Sequence, residues 1–212
     1  MRHAHETLRN AIAQLPPGSF ALMIVDEENR RSGGLLGPRV NTIRSQIPLV
    51  RLRQTAVAAA CRTADPTHPT ISISFNQTVP NYLSEPEARN RANMYRRIEF
   101  SKNTVGAFEV DRPGHPNHGD LGLNGTWSSL ALRLQEPDMA GIQTLIVMGF
   151  EMNACVLATV GASRAGNNFG ALQLQFQVLT SGQLMHSGEI LQPTIDAAWD
   201  YAIPNLHYYD TV

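Results

Sequence analysis

TLIVMGFEMNACVLATVGASRAG, residues 144–166, holds a strand, a turn and a helix start in one short span. Its first seven residues, 144–150, are almost continuously apolar and β-rich, which predicts a strand buried on both faces. Small and apolar residues over about 153–165 then follow helical spacing, and Gly166 is a natural stop. The same two-faced pattern recurs in FALMIVD (20–26) and TISISF (70–75), and shorter strands are expected at RIEFSK (97–102), 172–180 and 205–209. Helices are expected over about 41–61, 86–95, 127–134 and 194–201, with Ser84 and Glu87 as a capping pair. Strands of this kind, separated by helices, predict an α/β fold with a mostly parallel sheet covered on both sides.

The 212 residues suit one domain, 1–212, with a single core. The hydrophobic fraction of 42% is enough to fill that core. Lys plus Arg is 17 against 18 for Asp plus Glu, a near balance that calls for neither nucleic acid nor an anionic membrane as partner. No window reaches the roughly 18 apolar residues of a membrane span. Residues 1–18 read as a polar amphipathic helix and linker without the apolar core of a signal peptide. Cys61 and Cys155 do not make a disulfide framework, and a reduced, cytoplasmic setting is the simplest expectation.

Parallel sheets bind ligands at the carboxyl ends of their strands. Asp26 closes the first apolar run, Lys102 closes the third, and Cys155 follows the fourth at the start of a helix. A helix N-terminus and a nearby cation both favour a thiolate over a thiol of ordinary pKa near 8.5. Asp26 is placed to take and return a proton or to fix the Lys102 ammonium. Backbone N–H groups before the helix suit an oxyanion, so the set fits acyl transfer through a thioester. Each residue also has a plain reading: Asp26 as a turn residue, Lys102 as a solvated side chain, Cys155 as a small core residue. Cys61, within AVAAACR, keeps that last reading.

Local sequence narrows these readings. GFEMNACVLATVGASRAGN (149–167) resembles the nucleophile segment of the isochorismatase-like cysteine hydrolases. ALMIVDEEN (21–29) resembles their first strand and its Asp, and FSKNTVGAF (100–108) resembles their Lys followed by a small residue and Phe. The three stand in the family's order and at about its spacing, over residues 20–180. The resemblance implies a Rossmann-like, three-layer sheet of about six parallel strands. It also implies a catalytic Asp26–Lys102–Cys155 triad, with no cofactor and a small-molecule substrate. It further implies a cis peptide at Phe150–Glu151, with the Glu151 and Cys155 backbone N–H groups as the oxyanion hole. Relatives that cleave a vinyl ether usually lack the Cys, so Cys155 favours C–N hydrolysis of an amide, ureide or carbamoyl group. A vinyl-ether hydrolase and a silent binding protein of the same fold stay open as alternatives.

Several residues depart from the family pattern. Met152 stands where Thr is frequent, Glu27 and Glu28 replace an apolar–Gln pair, and Thr180-Ser181-Gly182 replaces an Asp followed by a small residue. Asn76-Gln77 carries no Asp-x-His metal pattern. His115, His118 and Asp120 lie in the Gly/Pro-rich stretch 114–125, which reads as a loop, and no metal is expected there. Phe75, Asn76, Tyr82, Phe108 and Phe150 are candidate pocket residues. Residues 76–97 and 109–125 are possible lid or pocket loops, and one of Arg89, Arg91, Arg96 and Arg97 is a candidate carboxylate clamp. A homodimer or homotetramer is expected, with the apolar 197–206 as a candidate interface.

Overall fold

A computed structural model describes residues 1–26, 47–75, 97–102, 104–109, 121–122, 129–166, 169–186 and 198–212. In chain order the elements are β1 (Arg2–Thr7), α1 (Leu8–Ala13), β2 (Phe20–Val25), α2 (Ile47–Ala64), β3 (Thr70–Phe75), β4 (Arg97–Lys102) and β5 (Leu121–Gly122). There follow α3 (Leu130–Leu134), β6 (Thr144–Phe150), a π-helical turn (Met152–Val156), α4 (Leu157–Val160) and β7 (Gln177–Thr180). A 3-10 turn (Gly182–Leu184), β8 (Met185–His186) and β9 (Leu206–Thr211) close the chain.

The nine strands of the described residues form one sheet in the order β1-β9-β7-β6-β2-β3-β4-β5, with β8 paired to β6. Every pairing is parallel except that of β4 with β5, so seven strands of the main path run parallel. The chain runs outward from β2 to β3 and β4, then returns to the other side of β2 as β6 before moving out to β7 and β9. The switch in direction therefore lies between β2 and β6, where such sheets open a crevice.

Alternation along β2 and β6 divides the core in two. Ala21, Met23, Val25, Leu145 and Val147 face one side and pack with α3 and α4 through Leu130, Leu134, Leu157 and Val160. Leu22, Ile24, Ile146 and Met148 face the other and pack with α1 and α2 through Leu8, Ile12, Val57 and Cys61. Both faces are covered, giving three layers in an α/β fold. Cys61 is a core residue, and burial pushes its thiol up to about 12.

Several expected elements are redrawn. The amino-terminal helix begins only at Leu8, where apolar residues take up helical spacing. Residues 2–7 instead satisfy their backbone as an edge strand on β9, and the Thr7 side chain caps α1 by accepting from Asn10 N–H. The helix after β6 stops at Gly161, in the left-handed region at φ 80°, five residues before Gly166. Strand β7 starts at Gln177, because the chain turns through 171–175 and the Phe176 N–H returns to Ala171 O. Ser129 caps α3, which is shorter than 127–134. Trp199 bridges to Ser163, and Tyr201 lies in a turn where a helix to 201 was expected. Trp199 and Leu206 are fully buried, which leaves those two side chains unavailable to an interface. The expected helix 86–95 and loop 114–120, with Glu27, Glu28, Asn76, Gln77, Tyr82, Ser84, Glu87, Arg89, Arg91, Arg96, His115, His118 and Asp120, lie outside the described residues.

Candidate active site

Asp26 is the first residue past β2. Its N–H donates to Ile73 O at 2.8 Å, and its φ of 51° places it in the left-handed region that Asp tolerates better than most side chains. Here β2 and β6 come close. Gly149 pairs with Val25 at φ 143°, and a Cβ on it would stand 2.0 Å from Val25 O. Only glycine permits this approach of the two strand ends.

Lys102 ends β4, two strands from Asp26, and its side chain returns past β3. Nζ lies 2.9 Å from Asp26 Oδ2, and the two side chains are 0% and 3% exposed. Nζ also donates to Thr104 O at 3.1 Å and Val105 O at 2.9 Å. Two carbonyls and the Asp26 carboxylate thus surround the ammonium. The loop carrying these carbonyls is held in turn. Ala107 N–H donates to Thr159 Oγ1 at 3.1 Å, and Gly106 lies so close to Ala158 that a Cβ would meet its backbone at 3.0 Å. The cage around Lys102 is therefore built against α4, the helix that follows Cys155.

Cys155 lies in the π-helical turn and is half-buried. Burial pushes its thiol up to about 12. The Lys102 charge pulls down, the Asp26 charge and a hydrogen bond to Asp26 push up, and a hydrogen bond with the Glu151 backbone pulls down. Lys102 is bound to Asp26 and to two carbonyls, so its charge does not outweigh desolvation of the sulfur. The Phe150–Glu151 peptide is cis.

The structure thus brings Asp26, Lys102, Cys155 and the Glu151 backbone together. Among the proposed pocket residues, Phe108 is fully buried within the core. Phe150 is half-buried, its ring 6.3 Å from the buried His186 of β8. The backbone of Phe75 belongs to β3, opposite Lys102. Among the described residues no group of three His, Cys, Asp or Glu side chains is placed to hold a metal ion, and no helix is long and apolar enough to cross a membrane.

Sequence reading passed over Asn153, two residues before Cys155. Both its side-chain Nδ2 and Oδ1 are buried without a hydrogen-bond partner. The available signal was the Thr-Asn of the resembled turn, of which Met152-Asn153 keeps the second half. Met152 itself is buried among core side chains, as an apolar residue at that position would be.

No family model and no curated protein matches the chain. Among solved structures, the chain is similar to an isochorismatase from Pseudomonas putida KT2440, at 16% identity over 96% of each chain with a TM-score of 0.47. It is similar to the nicotinamidase of Staphylococcus aureus, at 14% identity over 84% of this chain and 87% of that one, TM-score 0.46. It is also similar to N-carbamoylsarcosine amidase from Thermoplasma acidophilum, at 14% identity over 92% and 98%, TM-score 0.44. Isochorismatase-like proteins are thus among the structures this chain is similar to.

Proposed function

We propose that the chain is a cysteine-dependent hydrolase of a small molecule, cleaving a C–N bond of an amide, ureide or carbamoyl group. The observation that carries this reading is the Cys155 thiol set against the Asp26 carboxylate, which is itself fixed by the buried Lys102 ammonium. A thiol that rests protonated needs a base at the moment of attack, and Asp26 is that base. Cys155 Sγ attacks the carbonyl carbon while its proton passes to Asp26. Backbone N–H groups of Glu151 and Cys155 hold the oxyanion. Asp26 returns the proton to the leaving nitrogen as the C–N bond breaks, leaving a thioester. Water then attacks the thioester, giving a proton to Asp26. Release of the acid restores the thiol from that proton. Lys102 stays charged throughout and orients the carboxylate. Phe150 forms part of the pocket wall, and the protein acts as a homo-oligomer in the reducing interior of the cell.

The test is a screen of primary amides, ureides and carbamoyl compounds for ammonia release by the wild type and the Cys155→Ala variant. Turnover by the wild type alone, with a substrate-derived acyl adduct on Cys155 in the intact mass, supports the reading. Equal turnover by both rejects it. Hydrolysis of a cyclic vinyl ether without ammonia identifies the alternative chemistry. A mass consistent with a monomer in solution rejects the oligomer.

A further inference from the structure

Strand β1 is fastened to the outer edge of the sheet by groups that the proposed chemistry does not use. His3 Nε2 and His207 Nδ1 are 3.1 Å apart, and their rings stack with centroids 5.3 Å apart. His3 also stacks on Tyr209 at 4.4 Å, and its Nδ1 lies 3.7 Å from Glu6 Oε2. The Met1 ammonium faces the same end of β9, donating to Tyr201 O and Leu206 O. Arg2 is engaged with Asp210 at 2.7 Å and lies over the Tyr201 and Tyr208 rings. Burial and then Glu6 push the Tyr209 phenol up to about 12, so it stays neutral. His5, on the same strand, is exposed.

A hydrogen bond between two imidazoles requires one nitrogen without a proton. A proton on each of the two facing nitrogens removes the acceptor and sets two cations against each other. We propose that the His3–His207 pair is a proton-operated latch: one unprotonated facing nitrogen holds β1 on β9, and protonation of both rings releases the strand while the rest of the sheet stays folded. Burial, then the charges of His3 and the amino terminus, hold His207 below its ordinary value, with Glu6 opposing. A depressed histidine contributes stability that is complete above about pH 6.5 and is lost as pH falls through its folded value. Edge strands open at lower cost than central ones, so the loss falls on β1 first. Its release bares the edge of β9, a row of N–H and C=O groups that another strand can take.

Hydrogen exchange on the full chain, followed by mass spectrometry and corrected for intrinsic rates, tests this between about pH 7.5 and about pH 5. Protection of residues 2–7 is expected to fall by at least about tenfold while that of β6 holds. His207→Asn places a non-titrating acceptor near the Nδ1 position and is expected to abolish the step, whereas His5→Asn leaves it unchanged. Unchanged protection of β1 in the wild type overturns the proposal, as does a step that survives in His207→Asn. If that variant does not fold, the wild-type profile decides alone, because loss of β6 protection together with β1 also overturns it.

Discussion

Lys102 Nζ and Asp26 Oδ2 stand 2.9 Å apart although their strands, β4 and β2, are separated by β3. The chain achieves this by pairing Lys102 with Phe75, two residues beyond Ile73, whose carbonyl receives the Asp26 N–H. The lysine then lies beyond the end of β2 with a stem long enough to return across the gap.

A buried pair of this kind is fragile to single changes. Removing one charge leaves the other buried and uncompensated, which costs about 3–5 kcal/mol. Lys102→Met is therefore expected to lower the urea unfolding free energy by about that amount, and Asp26→Asn by a similar amount. The Asp26→Asn/Lys102→Met double variant is expected to recover most of the loss and remain inactive. A double variant no more stable than the worse single one counts against the pair as the source of the penalty.

Strands β2 and β6 were legible because both their faces are apolar, and β3 and β4 as short β-rich runs. Residues 20–26, 70–75, 97–102 and 144–150 are found as strands, the first ending at Val25 with Asp26 just beyond. That Asp26, Lys102 and Cys155 share one end of the sheet was legible from their places at strand ends, whereas no spacing rule places a side chain across an intervening strand, a contact that the family resemblance implied. Helix position and a neighbouring cation both favour a thiolate, whereas burial and the Asp26 carboxylate push the thiol up, and neither of these can be read from the sequence. The amino-terminal strand was missed because polar RHAHET has no apolar face, and its partner lies over two hundred residues away in β9.

The state of the thiol has a measurable signature. With Cys155 held at about 12, its reaction with iodoacetamide is expected to rise about tenfold per pH unit from neutrality to about pH 10 without a plateau. Asp26→Asn removes a negative charge and a hydrogen-bond acceptor, so it lowers the thiol pKa and speeds alkylation at neutral pH while abolishing turnover. Lys102→Met acts in the opposite sense. Intact mass against time reads all three, and a wild-type plateau near pH 8 would contradict the assignment of Asp26 as the base.

Gly149 tests the close approach of β2 and β6. Alanine there meets Val25 O at 2.0 Å and is strained at φ 143°, so the strand ends must separate. Gly149→Ala is expected to destabilise the fold by about 3 kcal/mol or more. Because the displacement carries the turn that holds Cys155, activity is expected to fall even at temperatures where the variant is folded. Gly166, with open space at its Cβ site but a φ of 66°, is the control, costing only about 1 kcal/mol for its backbone.

Asn153 separates stability from function within one turn. Its amide is buried with both polar atoms lacking partners, a condition that costs about 1–3 kcal/mol for groups left in this state. Leucine has nearly the same shape and no polar atoms to desolvate. Asn153→Leu is therefore expected to raise the unfolding free energy by about 1 kcal/mol, measured by urea denaturation. If the turn before Cys155 contacts substrate, the same variant is expected to raise KM at least about tenfold while the Cys155 alkylation profile stays that of the wild type. A residue retained only for packing would give the opposite pattern, with stability falling and KM unmoved.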